Sequence, residues 1–156
     1  MPLEEEIKQS KFSGEHQKAL VNILFTGSWL NGRNTSYFKK FNISPEQFNV
    51  LRILRGSYPK PLRLADIAQR MIEKNSNCTR LVEKLKQKGL VDRQLCESNR
   101  RQVDISITPK GLKLLEKIDS DNNQLVSFQK SISKTEAEEL NRILDKLRDS
   151  IDRWAQ

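Results

Sequence analysis

Short hydrogen-bonding side chains and longer basic ones follow one another between positions 76 and 84 of this 156-residue chain. Amide, hydroxyl and guanidinium groups can hydrogen-bond to base edges in the major groove of DNA, and an ammonium group on a flexible stem can reach a phosphate. These residue types therefore suit a helix that lies in a groove of double-stranded DNA. We expect DNA contacts from Ser76, Asn77, Thr79, Arg80 and Lys84.

Two short helices are predicted to position these side chains. Apolar residues recur at intervals of three and four on either side of position 75, which places each set on one helical face and lets the two faces pack together. The faces comprise Leu64, Ile67, Ala68 and Met71 in the first helix, and Cys78, Leu81, Val82 and Leu85 in the second. We expect Asn75 or Ser76 to cap the second helix and Gly89 to end it.

A hairpin with a basic tip is predicted after the second helix. The apolar period changes to two, which indicates one strand over residues 90–96 and another over 103–107. The polar loop 97–101 places Arg100 and Arg101 at its tip, where their guanidinium groups can reach a phosphate or lie in a minor groove. These two arginines are therefore further candidates for DNA contact.

Capping signals mark the remaining helices. Ser44 with Gln47 and Ser133 with Glu136 have the spacing of capping boxes, and Thr108 before Pro109 is a usual helix start. We expect helices over residues 15–39, from 45 to about 56, from 109 to about 129, and from 134 onward. Residues 1–13 are either a short helix or a mobile arm. The last helix carries an apolar line made of Leu140, Ile143, Leu144, Leu147, Ile151 and Trp154.

The order of these parts resembles the winged helix-turn-helix of MarR-family transcriptional regulators. The matching pieces are residues 62–71, Thr79-Arg80-Leu81-Val82 with Leu85, Lys88-Gly89-Leu90-Val91, Arg100-Arg101 and Ile107-Thr108-Pro109-Lys110-Gly111. These separate pieces occur in the family's order and spacing. One departure is Asn99, which stands where the family usually has an Asp, so a wing ion pair expected of the family lacks its acidic partner here.

The resemblance implies a mainly α fold with a small β-hairpin wing, in which a winged helix-turn-helix is flanked by N- and C-terminal dimerisation helices. We expect residues 1–156 to form a single domain, with the DNA-binding region at 44–113 and dimerisation helices at 1–40 and 114–156. In the family the first and last helices of two subunits interlock. The expected protein is therefore a homodimer on a pseudo-palindromic DNA site.

The charge distribution agrees with a DNA-binding role for the central region. The chain carries a net charge of +8, and 36% of its residues are hydrophobic and 31% charged. Residues 60–113 contain 13 basic and 6 acidic residues, and therefore a net +7 of the chain's +8. Positive charge confined to one region favours a nucleic acid over a membrane surface as the anionic partner.

Several other classes of protein are not indicated. His16 is the single histidine, and Cys78 and Cys96 lack metal-ligand or CxxC spacing, so we expect no catalytic residue, metal or cofactor and two small buried or half-buried thiols. No apolar run approaches the roughly 20 residues that span a bilayer. Residues 4–6 are acidic, unlike the start of a signal peptide. These features predict a cytoplasmic protein that is not an enzyme and has no membrane partner.

Two groups of residues have alternative interpretations. Arg63 and Arg93 either contact DNA phosphate or pair with a nearby carboxylate such as Asp66 or Asp92. Aromatic residues around the first two helices are either core or, as the family resemblance implies, the lining of a pocket for a small aromatic effector. The candidates for that pocket are Phe25, Trp29 and Phe48.

Two functions remain open from the sequence. The first is a MarR-like homodimeric transcriptional regulator, a repressor rather than an activator, that binds promoter DNA and is released by a small aromatic effector. The alternative is a winged helix that serves as a protein-interaction module or as a non-specific architectural nucleic-acid binder. Sequence preference and salt dependence of DNA binding separate the two, because phosphate contacts alone give a steep salt slope with little discrimination.

Overall fold

A computed structural model of the chain describes residues 1–96, 98–121 and 123–154, with the backbone alone at 100, 123–125 and 154. Its elements are α1 (Leu3–Glu6), α2 (Glu15–Lys39), α3 (Pro45–Ser57), β1 (Leu62–Arg63), α4 (Leu64–Arg70), α5 (Cys78–Gln87), β2 (Val91–Cys96), β3 (Asn99–Ile107), α6 (Pro109–Ser120), α7 (Asn123–Ser131) and α8 (Lys134–Trp154). They form two compact units, Met1–Leu115 and Glu116–Gln156. The predicted mainly α fold with a small β wing is confirmed.

The core of the first unit lies among α3, α4, α5 and the sheet. Helix α3 begins with the predicted capping box, in which Gln47 N donates to Ser44 Oγ (3.1 Å) and Ser44 N donates to Gln47 Oε1 (3.0 Å). Each fully buried aliphatic side chain contributes roughly 1.5–3 kcal/mol relative to an exposed one. Those buried almost completely are Val50, Leu51, Leu54, Ile67, Met71, Leu85, Val91, Ile105 and Leu115.

Helix α5 starts one residue later than a Ser76 cap requires. Its N-cap is Asn77, whose Oδ1 accepts from Arg80 N at 3.1 Å, so the predicted cap at Asn75 or Ser76 is wrong. Residues 73–76 instead form a turn in which Ser76 N donates to Glu73 O. Asn and Ser are both good N-cap residues, so the residue types at positions 75–77 do not show which of them caps the helix. The prediction that Ala68 packs on the apolar face of α4 is also wrong, because Ala68 is exposed.

Gly89 ends α5 as predicted. It adopts φ +72°, a left-handed conformation that costs glycine little because it has no Cβ. Gly89 N donates to Lys86 O (2.9 Å) and Leu90 N to Leu85 O (3.0 Å), the two bonds of a Schellman motif. The turn directs the chain from α5 straight into β2.

The sheet has three antiparallel strands in the order β1-β3-β2. The hairpin pairs Val91 with Ile107, and its register is irregular between Leu95 and Cys96. Strand β3 begins at Asn99, so the prediction of Arg100 and Arg101 in a loop is wrong and both lie in the strand. The first residues of this strand are polar, so an apolar alternation did not reveal their β pairing. Position 97 of the predicted loop lies outside the described residues.

Two features of the sheet were not predicted. Strand β1 pairs Leu62 with Ile105 and Arg63 with Asp104, but two residues are too few to show a period of two. At the hairpin end, Asn99 Oδ1 accepts from Arg101 N at 3.1 Å. The residue that departs from the family pattern therefore makes a local backbone contact near the start of β3.

Helix α6 starts at the predicted Thr-Pro pair. Thr108 Oγ1 accepts from Gly111 N (3.1 Å) and donates to Gly89 O (2.7 Å), which ties the start of α6 to the end of α5. Gly111 lies so close to the strands that a Cβ there would sit 2.4 Å from Leu90 O and 2.7 Å from Ile107 Cγ1. Helix and sheet therefore meet at backbone contact distance.

Helix α2 has the predicted bounds but buries little of its apolar surface. Within α2, all of which is described, Phe38 is the buried residue. Its exposed apolar side chains are Leu20, Ile23, Leu24, Trp29 and Leu30. Of the two alternatives for residues 1–13, the structure shows a short helix, α1, with Leu3 buried.

The second unit also exposes apolar side chains. The single helix predicted to about residue 129 is wrong, because α6 ends at Ser120 and α7 begins at Asn123. The intervening stretch is rich in Asp and Asn, which are weak helix formers, and position 122 lies outside the described residues. Helix α8 begins with the predicted capping box between Ser133 and Glu136. Its exposed apolar residues are Leu140, Ile143, Leu147 and Ile151.

Candidate nucleic-acid interface

Helix α5 has one buried and one exposed face. Cys78, Val82 and Leu85 are only 8%, 3% and 0% exposed and Leu81 is half-buried, so the first unit covers most of the apolar side of the helix. Thr79 and Arg80 in the first turn and Lys84 one turn later are exposed. The structure therefore brings these three predicted DNA-contacting side chains together on one accessible surface.

Two predicted contact residues at the start of α5 are already engaged or turned inward. Asn77 is exposed, but its Oδ1 caps the helix by accepting from Arg80 N, so a bidentate contact to adenine would compete with the cap. Ser76 is half-buried, and its Oγ has no hydrogen-bond partner among the described residues. A base contact from Ser76 therefore requires its side chain to rotate outward.

Two open cavities border the exposed face of α5. One, of about 260 Å³, lies between α4, α5 and the wing, and is lined in part by Thr79, Arg63, Arg93 and Arg101. The other, of about 230 Å³, lies between the start of α3 and α5, and is lined in part by Glu46, Asn77, Arg80 and Lys84. Arginine residues from three separate strands, β1, β2 and β3, thus line one cavity beside the helix.

The wing arginines differ in what can be said of their contacts. Arg101 is exposed, and its backbone N–H donates to Asn99 Oδ1. Arg100 lies next to it in β3, but its side chain is outside the described part of the chain. The structure therefore places Arg101 at the wing surface, and the side-chain position of Arg100 stays a prediction.

Arg63 and Arg93 both pair with carboxylates. Arg63 makes a bidentate contact with Asp66, with Nε–Oδ2 at 2.9 Å and Nη2–Oδ1 at 3.1 Å. These hydrogen bonds lower the pKa of Asp66 and raise that of Arg63. Arg93 lies 3.8 Å from Glu83 of α5, a partner that separation along the chain did not suggest. Each pairing is exposed, so exchange of the carboxylate for a phosphate costs little.

The two cysteines have the burial predicted for them. Cys78 is buried on the inner face of α5, and that burial raises the pKa of its thiol, which keeps it in the less reactive protonated form. Cys96 is half-buried, with its Sγ 3.1 Å from Ser98 Oγ. Both thiols are free.

The three candidate effector residues have unequal surroundings. Phe48 of α3 stacks on Phe38 of α2 with ring centroids 4.4 Å apart, which makes it part of the contact between these helices. Phe25 is half-buried, whereas Trp29 is 50% exposed with the Arg33 guanidinium 5.1 Å from its ring centroid. The effector pocket remains a prediction.

Two other kinds of site are not found in the described ranges. No three metal-ligating side chains come together in that part of the chain. No helix within it combines the length and apolar composition that a bilayer-spanning segment requires.

Comparison with known proteins agrees with this geometry. The MarR family pattern matches residues 43–103, from the start of α3 into β3. The HTH-type transcriptional regulator MgrA of Staphylococcus aureus is 28% identical over 115 residues, which are 74% of this chain and 76% of MgrA. The crystal structure of a MarR transcription factor from Planctomyces limnophilus matches with 30% identity and a TM-score of 0.66, over 86% of this chain and 98% of that one.

A structure of S. aureus MepR in complex with DNA shows the same fold, with a TM-score of 0.72 at 21% identity, over 90% of this chain and 99% of that one. The likeness thus covers the winged helix-turn-helix and most of the flanking helices. The chain belongs to the MarR family of winged-helix transcription regulators.

Proposed function

We propose that this regulator binds double-stranded DNA and reads its sequence with α5. The observation that carries the proposal is the position of Thr79, Arg80 and Lys84 on the accessible face of a helix whose opposite face is buried. In a helix-turn-helix, the N-terminal part of the second helix contacts base edges. Arg80 is thus suited to guanine and Lys84, one turn further on, to the phosphate backbone.

The surroundings of α5 supply the sequence-independent part of the binding. Arg101 lies on the wing surface, and Arg63 and Arg93 line the same cavity beside α5. With Arg100, which precedes Arg101 in β3, these residues are our candidates for phosphate or minor-groove contact. The net +7 over residues 60–113 favours approach of a polyanion to this surface.

We further propose a homodimer held by the flanking helices. Helices α2 and α8 expose apolar side chains such as Leu24, Ile143 and Ile151 at 66%, 46% and 55%. Apolar surface of this extent is typical of an interface that a partner covers. Two copies related by a two-fold axis would bind a pseudo-palindromic site.

The regulatory direction we propose is repression relieved by a small aromatic effector. A dimer over a promoter excludes polymerase from the same DNA. Phe25 and the exposed Trp29 of α2 offer aromatic surface on which an effector can stack, with Phe48 of α3 as the third candidate. The cell compartment that follows from this function is the cytoplasm.

Selection of binding sites from random duplexes, followed by variants of α5, tests the proposed DNA reading. Arg80→Ala should lose about 1–3 kcal/mol of discrimination at one position in each half-site. Lys84→Ala should weaken all duplexes alike and flatten the salt slope by about one unit. Arg148→Ala in α8 removes one charge far along the chain and serves as the control.

The outcome of that experiment also decides between the two functions. If no duplex is enriched, or if Arg80→Ala leaves the ranking of duplexes unchanged, α5 is not the reader. The protein-interaction or architectural alternative would then be the better description.

A further inference from the structure

Helix α3 carries two buried polar side chains, Gln47 and Asn49, each 6% exposed. A buried amide without a hydrogen-bond partner is costly, so the partners of a buried amide indicate what it holds in place. In both cases one partner lies on a chain segment next to α5.

Gln47 contacts the C-terminal end of α5 through Lys88. Its Oε1 accepts from Lys88 Nζ at 3.2 Å while also accepting from Ser44 N at 3.0 Å, which uses both lone pairs of the oxygen. Lys88 is the C-cap residue of α5 and is half-buried. Its Nζ also donates to the backbone oxygen of Asn42, which follows α2. The Lys88 ammonium is therefore held against the first unit by oxygens of Gln47 and Asn42.

Asn49 contacts the segment that leads into α5. Its Oδ1 accepts from Ile72 N at 2.8 Å, and Ile72 lies between the end of α4 and the start of α5. One helix, α3, thus holds the chain before α5 through Asn49 and the chain after α5 through Gln47. Both contacts join residues more than 20 positions apart.

We propose that Gln47, Asn49 and Lys88 are positioning residues that set the orientation of α5 for sequence-specific reading. This inference rests on the proposed function, in which the exposed face of α5 meets base edges. Hydrogen bonds to bases tolerate little displacement, so a helix held at both ends discriminates between sequences better than one held by apolar packing alone. The contact from Lys88 to Asn42 also links the reading helix to the turn that follows α2.

The first test replaces Lys88 with methionine, which keeps the length of the side chain and removes its donors. Loss of a hydrogen bond to a charged group predicts a fall of about tenfold in discrimination between the selected duplex and its single-base variants. The dependence of affinity on salt should stay the same as in Lys86→Met, a control on the same helix that removes the same charge from an exposed position. Lys88→Arg retains donors for both oxygens and should keep the discrimination.

Two results would overturn this role of Lys88. If Lys88→Met weakens all duplexes equally and lowers the salt slope by about one unit more than Lys86→Met does, Lys88 is a phosphate contact. If only the thermal midpoint falls, with discrimination unchanged at a temperature at which the variant is folded, the contact is merely structural. A wild-type protein without discrimination contradicts the proposed function itself, so the two failures are distinguishable.

The second test replaces Asn49 with leucine and measures amide hydrogen exchange in the DNA-free protein. The amide of Ile72 should lose protection, and the first-turn amides of α5 should exchange faster than in wild type. Discrimination between duplexes should fall as in Lys88→Met. Unchanged exchange in α5 together with unchanged discrimination would show that Asn49 does not position the helix.

Discussion

Helices α5 and α8 carry the same apolar period but differ in what covers it. In α5 the inner residues Cys78, Val82 and Leu85 are at most 8% exposed. In α8 the corresponding line is 36–55% exposed at the four positions Leu140, Ile143, Leu147 and Ile151. A period of three and four therefore tells which face of a helix is to be covered. Whether the cover comes from the same chain is a separate matter, decided by what the fold places beside that face.

The largest effect is expected from breaking the apolar line of α8. Replacement of Leu144 and Leu147 with Glu would place four carboxylates in the two-fold interface that we propose, at a cost of several kcal/mol. The variant should be a monomer by sedimentation equilibrium at micromolar concentration, where we expect the wild type to be a dimer. Lys146→Glu, on the same helix and outside the apolar line, should leave the dimer intact. A monomeric wild type would refute this account of α8.

The matching test on α5 should change folding and not assembly. Leu85→Ala removes a side chain that is 0% exposed and should lower the free energy of unfolding by about 2–5 kcal/mol. Leu95→Ala makes the same chemical change at a wing position that is 67% exposed, and it should stay within about 0.5 kcal/mol of wild type. Urea unfolding at one protein concentration measures both. Equal effects at the two positions would mean that α5 is not anchored as described.

The smallest effect concerns the first turns of the two helices. Hydrogen bonds from Ser133 lower the pKa of Glu136 in the capping box of α8, whereas the cap of α5 is the neutral amide of Asn77. A carboxyl with a lowered folded-state pKa contributes stability above its unfolded pKa, and this contribution is lost as the pH falls through the folded value. Acid should therefore loosen the start of α8 and leave the cap of α5 unaffected.

Comparison with Glu136→Gln checks this pH dependence. Glutamine can make the same capping contacts without titrating, so the variant should match wild type near neutral pH. Below the ordinary glutamate pKa of about 4.3, the wild type should lose more stability than the variant. Parallel unfolding free energies across that pH range would show that the capping carboxylate does not contribute.

The parts of the fold that were predicted correctly are determined by residues that lie close together in the chain. The capping boxes at Ser44 and Ser133 and the end of α5 at Gly89 each follow from residues within about one helical turn of one another. The break between α6 and α7 was missed because periodic apolar residues continue across it. Strand β1 was missed because its partner is β3, more than 35 positions later in the chain.

Features of the candidate site also divide into those that follow from nearby residues and those that depend on distant ones. Exposure of Thr79, Arg80 and Lys84 follows from the helical period, and the structure confirms it. The contact of Lys88 with the backbone of Asn42 joins positions 46 apart, so no pattern within α5 predicts it. The inward position of Ser76 is set by the turn over residues 73–76, which depends on where the helix starts.

The close approach of Leu90 and Ile107 to Gly111 limits which residues can replace this glycine. A methyl group there would meet the backbone oxygen of Leu90, which also accepts from Thr108 N and cannot rotate away as a side chain could. By contrast, a Cβ at Gly27 or Gly56 would meet nothing within 4 Å. In a library of all single substitutions, Gly27 and Gly56 should therefore accept many residues, whereas every replacement of Gly111 must push α6 away from the strands.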